Sequence, residues 1–172
     1  MGFSRDGSAA LCTSMRRFQN LYGRPEIRIA AYLPFHPACN LQFVAELDVA
    51  DAPIREFHGA ADNWTSPAIC RDYIARLSAA GKDATMTEYA GASHAFANPD
   101  AVPVHAIEGA QSSFKCQRRE EGGTMLNVET GKPFTYKDSC VGLKSTVGYD
   151  QAASEAARIA VEALLKKVFK LD

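Results

Sequence analysis

The chain has 172 residues, of which 47% are hydrophobic and 23% charged, a balance typical of an ordinary globular domain. The formal net charge of -1 excludes the basic surface expected of a protein that binds nucleic acid or an acidic membrane. No stretch approaches the ~20 consecutive apolar residues that a membrane-spanning helix needs, so residues 1–172 are predicted to form one water-exposed domain.

The first element predicted along the chain is a helix over residues 7–22. Gly23 provides the stop for this helix, and its apolar residues recur at helical spacing: Leu11, Met15, Phe18 and Leu21 or Tyr22. A short apolar run over residues 27–33, ended by Pro34, then predicts a buried strand.

The middle of the chain alternates strand, helix and strand. Residues 54–57 form a second apolar run, and a helix is predicted from Ser66 as N-cap and Pro67 at the first turn to Gly81. Residues 85–89 are rich in β-forming side chains and follow directly. This order predicts an α/β fold, with a parallel sheet of about three strands flanked by helices.

A long segment, residues 98–148, separates the last of these strands from the final helix and shows no helical periodicity. Within this insertion, residues 125–128 and 133–136 flank a glycine-bearing turn, which predicts a β-hairpin. The final helix is predicted from Asp150, a good N-cap, to Phe169.

The cysteine pattern argues against a zinc site, because none of the five cysteines has C-x-x-C spacing or a histidine at a metal-finger interval. Cys12 and Cys70 lie on apolar helix faces and are expected to be buried as small hydrophobes. Cys116 and Cys140 flank a polar segment, and a disulfide between them is expected if the compartment is oxidising, periplasmic or extracellular; a cytoplasmic location would leave them reduced.

A serine lies in a glycine-containing motif at the start of the chain. Gly2, Ser4 and the predicted helix after them match the G-x-S-x-G nucleophile elbow, a strained strand-to-helix turn, although Asp6 stands where the second glycine is expected. The same residues would also fit an ordinary helix start. In the chain order of an α/β-hydrolase, an acid and a histidine must follow later strands, and Asp62 and His94 do so.

Three stretches, Gly2-Phe3-Ser4-Arg5, residues 58–64 and residues 91–96, together resemble the dienelactone hydrolase family of the α/β-hydrolase superfamily. The resemblance implies a doubly wound parallel sheet and hydrolysis of a small ester or lactone with no metal or organic cofactor. It also implies Ser4 as nucleophile, His94 as base and Asp62 as the residue that orients it. The backbone N–H of Arg5 would be one donor of the oxyanion hole.

The resemblance covers only the C-terminal part of the family fold, because neither a strand leading into Ser4 nor the loop carrying the second oxyanion donor is recognisable. We therefore expect an N-terminally truncated hydrolase domain. In such a domain the strand over residues 27–33 would have an unpaired edge, through which the chain could dimerise.

Several other residues have two interpretations. His36 and Trp64 could line a substrate pocket or be structural, and the Arg5 side chain could pair with a substrate carboxylate or be solvated. His58, inside a strand, and His105, in the insertion, are not expected to be the base.

Three functions remain open at this point. The first is a serine hydrolase of the dienelactone hydrolase type that works through an acyl-enzyme, and the second is a catalytically impaired remnant of such an enzyme. The third is a general carboxylesterase or peptidase-like hydrolase with the same three residues and a different pocket.

Overall fold

The structure is a computed structural model that describes residues 1–171. Within these residues the helices are α1 (Arg5–Cys12), α2 (Arg16–Tyr22), α3 (Pro67–Ala79) and α4 (Gln151–Phe169). The strands are β1 (Gly2–Phe3), β2 (Pro34–Phe35), β3 (Leu41–Gln42), β4 (Ile54–Gly59), β5 (Ala84–Tyr89), β6 (His105–Ala106), β7 (Gln111–Ser112), β8 (Arg118–Glu121), β9 (Thr124–Asn127), β10 (Gly142–Leu143) and β11 (Thr146–Val147). No helix among residues 1–171 is long and apolar enough to span a bilayer.

A parallel sheet of four strands, in the order β1-β2-β4-β5, forms the centre of the fold. This confirms the predicted α/β class. The fourth strand is β1, which ends directly before Ser4 and pairs with β2, so the expectation that no strand leads into Ser4 is wrong. Two residues with no β-pattern of their own gave no sequence signal for this strand. The carboxyl ends of all four strands therefore meet at one edge of the sheet, where α/β proteins place their ligands.

Two apolar clusters cover the two faces of the sheet. One includes Leu11, Ile54 and Leu77 and packs α1 and α3 against the sheet; the other includes Phe57 and Ala153 and packs α4 on the opposite face. Helices α3 and α4 begin at their predicted N-caps. The Ser66 side chain accepts a hydrogen bond from Ile69 N, and the Asp150 side chain accepts one from Ala153 N.

The single helix predicted over residues 7–22 is wrong, because the chain breaks between α1 and α2. Met15 is extended and bridges Val49, and the Ser14 carbonyl accepts a hydrogen bond from Ala50 N at 2.8 Å. These backbone groups are satisfied by the loop before β4 instead of by a helix. The apolar residues keep helical spacing across this break, so the sequence pattern alone does not reveal it.

The strand predicted over residues 27–33 is also misplaced. Ile27 and Ile29 are 62% and 44% exposed, and the regular strand begins only at Pro34. Tyr32 N and His36 N both donate to the β4 side, and proline has no N–H to continue the ladder between them. Gly2 N donates to the Leu33 carbonyl, so the expected edge here is covered by β1, and dimerisation through a sheet edge stays a prediction.

The insertion contains the predicted hairpin contact and a second hairpin before it. Leu126 bridges Pro133, and hydrogen bonds from Asn127 N to the Lys132 carbonyl and from Phe134 N to the Met125 carbonyl flank this bridge. Gly131 in the connecting turn has a positive φ, as expected. Sequence reasoning missed β8, which pairs antiparallel with the other edge of β9 across a turn of two glycines.

Two disulfides cross-link segments that lie outside the central sheet. The expected Cys116–Cys140 bond is present. The expectation for Cys70 as a free apolar residue is wrong, since Cys70 on α3 is bonded to Cys39 in the loop after β2. Helical periodicity showed that Cys70 is buried and could not show which loop packs on it. Cys12 is free.

Candidate active site

The turn that carries Ser4 is closely packed and has unusual backbone angles. Ser4 has φ 52 and ψ -114, in a region that L-residues rarely adopt, and its N–H donates to the Phe35 carbonyl at 2.9 Å. A Cβ on Gly2 would lie 2.1 Å from the Asp6 carbonyl oxygen, and one on Gly7 would lie 2.4 Å from the Phe35 carbonyl oxygen. The turn therefore has the strained strand-to-helix geometry of a nucleophile elbow.

Asp6 does not disturb this turn, although the sequence motif has glycine at its position. Asp6 is exposed, whereas Gly2 and Gly7 are buried where backbone segments approach each other closely. Close packing of α1 on β2 thus requires glycine at position 7 and leaves position 6 free to carry a side chain.

The structure brings Ser4, Asp62 and His94 together at the carboxyl ends of neighbouring strands. Ser4 Oγ lies 2.8 Å from His94 Nε2, and His94 Nδ1 lies 2.7 Å from Asp62 Oδ2. Because a carboxylate can only accept, His94 Nδ1 carries a proton, and Nε2 of the neutral ring is left to accept the proton of Ser4. The arrangement can therefore take a proton from a serine hydroxyl.

Asp62 is surrounded by donors in the turn after β4. Its Oδ1 accepts from the backbone N–H of Trp64 and Thr65 at 2.7 and 2.9 Å, and its Oδ2 accepts from Thr65 Oγ1 at 2.9 Å. Burial opposes ionisation of this carboxyl, but hydrogen bonds from His58 and His94 outweigh it and hold the pKa of Asp62 well below its usual range. Asp62 is therefore an anion throughout the neutral range.

His36 lies against the elbow with a positive φ of 36. Its Nδ1 accepts a hydrogen bond from Ser4 N at 3.1 Å, and its ring centroid is 4.3 Å from that of His94. Burial, together with the nearby His94, lowers the pKa of His36 to about 3, so this ring is neutral. The half-buried Trp64 ring lies on another side of His94, with 5.2 Å between centroids.

Arg5 begins α1 directly after Ser4. The first amides of a helix have no acceptor within the helix, so the Arg5 N–H is a free donor at a site that also carries the positive end of the helix dipole. The Arg5 residue is exposed, and the structure places no partner against its guanidinium among residues 1–171.

Sequence reasoning missed a second buried imidazole at this site. His58 Nε2 lies 3.2 Å from Asp62 Oδ2, and His58 Nδ1 lies 2.7 Å from Glu56 Oε1, with all three side chains inaccessible to solvent. Burial lowers the pKa of His58, but hydrogen bonds to Asp62 and Glu56 outweigh this and raise it to about 9. The only available signal was the spacing of His58 four residues before the acid, together with alternation of Ile54, Glu56 and His58 on one strand face.

Glu56 and His58 also lie close to Cys70, as metal ligands do. The sulfur of Cys70 is bonded to Cys39, so it is not available as a thiolate ligand. His105, by contrast, is exposed in the insertion, where its Nδ1 bonds the Pro103 carbonyl.

A cavity of about 740 Å³ lies between α2 and the segment around residues 23–32. Its lining includes none of Ser4, Asp62 or His94. The interpretation of His36 and Trp64 as pocket residues therefore depends on their positions beside His94 and not on this cavity.

Comparison with known proteins gave one family match. A sequence profile described as "Dienelactone hydrolase family" matches residues 20–169. A search of curated proteins gave no significant match.

Solved structures with a similar arrangement include several esterases. Esterase PE8 is 24% identical over 56% of this chain and 42% of its own, with a TM-score of 0.43. Thermogutta terrifontis esterase 2 phosphorylated by paraoxon is 24% identical over 56% of this chain and 43% of its own, with a TM-score of 0.44. The propionate-bound form of the esterase from this Planctomycetes species is 20% identical over 59% and 48%, with a TM-score of 0.44. The chain spans less than half the length of these esterases.

Proposed function

The chain belongs to the dienelactone hydrolase family, and from this premise we propose that it is a serine hydrolase that cleaves a small ester or lactone through an acyl-enzyme. The observation that carries the proposal is the contact of Ser4 Oγ with His94 Nε2 at 2.8 Å, on a turn with positive φ. Asp62 Oδ2 lies 2.7 Å from the other ring nitrogen of His94 and completes the proposed triad.

In the first step, Ser4 Oγ attacks the carbonyl carbon of the ester while its proton passes to His94 Nε2. Asp62 keeps Nδ1 protonated and stabilises the imidazolium that forms. The imidazolium then gives its Nε2 proton to the leaving alkoxide, which departs as an alcohol, and the acyl group stays on Ser4. Water, deprotonated by His94, then attacks this acyl-enzyme, the bond from the acyl carbon to Ser4 Oγ breaks, and the imidazolium returns its proton to Ser4 Oγ as the carboxylic acid is released.

The tetrahedral intermediate of each step carries a negative oxygen that needs donors. Arg5 N–H supplies one donor in the proposal, because it is the first amide of α1 and follows the nucleophile directly. The exposed Arg5 side chain would pair with a carboxylate on the substrate, and the rings of His36 and Trp64 would form walls on either side of His94.

The proposal is tested by labelling the folded chain with a fluorophosphonate probe and by following p-nitrophenyl acetate hydrolysis. We expect labelling at Ser4 and turnover that Ser4→Ala abolishes. Ser78→Ala, which changes an exposed serine on α3, is the matched control and should keep both.

A folded parent chain that neither reacts with the probe nor hydrolyses the ester would overturn the proposal in favour of an inactive family member. If activity is found, comparing a lactone, an aryl ester and a peptide of similar size separates the dienelactone hydrolase type from a general carboxylesterase or a peptidase.

A further inference from the structure

We propose that His58 is a positioning residue for the reaction, and that its Nε2–H holds Asp62 Oδ2 in place and sets the proton affinity of His94. The inference rests on the proposed function, since it concerns the same three residues. It extends these three residues to a connected chain of five side chains, of which all but Ser4 are buried: Glu56, His58, Asp62, His94 and Ser4.

The geometry fixes which nitrogen of His58 carries a proton. Nε2 lies 3.1 Å from the Thr65 carbonyl oxygen and 3.2 Å from Asp62 Oδ2, and both of these groups can only accept. The Thr65 hydroxyl, 3.3 Å from Nε2, donates its single proton to Asp62 Oδ2 at 2.9 Å, so a bare nitrogen at this position would face acceptors without a donor. Nε2 is therefore protonated whether the ring as a whole is neutral or cationic.

Glu56 keeps His58 in this orientation. Its Oε1 lies 2.7 Å from His58 Nδ1, and both side chains project from the same face of β4 without exposure to solvent. The second oxygen, Oε2, is buried without a partner among the described residues. Burying such a pair is costly and contributes little to stability, which favours a role other than stability.

Other ionisable groups face this pair from neighbouring elements. His36 and His94 approach from the loops after β2 and β5. Glu88 on β5 also faces His58, but it is paired with Arg71 of α3 at 2.7 Å. Asp62 is thus the acceptor through which His58 reaches the proposed base.

The donated hydrogen bond has a predictable effect on His94. It withdraws electron density from Asp62 Oδ2 and so weakens the attraction of the carboxylate for the His94 imidazolium. Removing the donor strengthens the attraction of Asp62 for the imidazolium, and any positive charge on His58 that is lost with it acts in the same direction. The acid limb of the pH-rate profile must then move to higher pH.

The test compares the parent chain with His58→Phe, which has similar size and no donor, and with His58→Gln, whose amide can still donate. For His58→Phe we expect kcat to fall about tenfold with little change in KM, because Asp62 loses one of its anchors. We expect the acid limb to rise by roughly one pH unit, and the limb of His58→Gln to lie between the two. Tyr73→Phe removes a buried hydrogen bond to the Glu46 carbonyl away from the site, and its limb should match the parent's.

Proton and nitrogen NMR of the parent chain tests the inference even if a variant does not fold. His58 Nε2 should be protonated throughout pH 6 to 8, and a bare Nε2 would overturn the proposal. An unchanged acid limb and unchanged His94 titration in both variants would overturn it too. A parent chain that lacks esterase activity but whose His94 titration shifts in His58→Phe would refute the hydrolase assignment alone.

Discussion

Two glycines limit the turn that presents Ser4, and each does so through a backbone contact. Gly7 is the more informative, because it lies within α1, where alanine is usually the better helix former by about 1 kcal/mol. Its neighbour Asp6 is exposed.

We predict that Gly7→Ala destabilises the chain by roughly 1–3 kcal/mol, because the added Cβ would lie 2.4 Å from the Phe35 carbonyl oxygen and force α1 away from β2. Asp6→Gly should cost no more than about 1 kcal/mol from helix propensity alone. Urea denaturation of both variants measures the difference. A gain in stability for Gly7→Ala would mean that α1 does not pack this closely on the sheet.

At the same scale, the buried imidazoles predict how stability varies with pH. The pKa of His36 falls from its ordinary value of 6.5 to about 3 on folding, so below pH 6.5 the unfolded chain binds a proton that the folded chain refuses, and stability falls as the pH drops. The pKa of His58 rises to about 9, so its proton stabilises the folded chain fully below pH 6.5. This stabilisation is lost as the pH rises through 9.

Stability should therefore be greatest near pH 6.5. The free energy of unfolding should fall less steeply between pH 6 and pH 4 in His36→Phe, because this variant has no group at position 36 that takes up a proton on unfolding. Urea midpoints of parent and variant at pH 4, 5, 6 and 7 check the prediction. Parallel slopes would indicate that His36 is not the group responsible.

At the scale of elements, the Cys39–Cys70 disulfide joins the loop after β2 to the first turns of α3, closing a separation of 31 residues. The loop contains His36 near its start, and the helix follows the turn that holds Asp62. The bond therefore limits the relative motion of two segments that line the candidate site.

We predict that the double substitution Cys39→Ala and Cys70→Ala lowers the free energy of unfolding by roughly 2–4 kcal/mol, because the unfolded chain regains the freedom that the cross-link removed. Cys12→Ala, at the free cysteine, is the control and should cost less. Thiol titration in denaturant should find one thiol per parent chain before reduction and all five after it. Three or more thiols before reduction would contradict the pairing.

The elements that sequence could predict are those whose signals are local. α3 and α4 carry their own caps and apolar stripes, and β4 and β5 are β-rich runs bounded by glycine or proline. The break at Met15 and the exposure of Ile27 depend on which distant segment meets them, which no local pattern records. The contact of His58 with Asp62 was missed for the same reason, since a turn, and not a strand or helix, brings them together.

At the scale of the whole molecule, the insertion over residues 98–148 lies outside the central sheet and its helices. It returns to the turn after β4 at several points: Ser112 Oγ donates to the Trp64 carbonyl, and Thr146 N donates to Asn63 Oδ1 at 2.9 Å. Gly148 N donates to the His94 carbonyl just before α4. The insertion thus contacts both the turn that holds Asp62 and the loop that holds His94.

We predict that Asn63→Ala speeds hydrogen exchange in β6 and β11 by about tenfold, because it removes the side chain that accepts from Thr146 N and Oγ1. Exchange in β4 and β5 should be unchanged. Asn20→Ala, at an exposed position of α2, is the matched control. Equal exchange in β6 and β11 for both variants would show that the insertion is held by other contacts.

Trp64 gives the molecule an internal optical reporter. It is the single tryptophan of the chain, and its indole ring lies 5.2 Å from the imidazole of His94. All indole emission therefore arises beside one histidine, and a protonated imidazole quenches such emission. Intensity recorded against pH would follow the charge of that ring without any added dye.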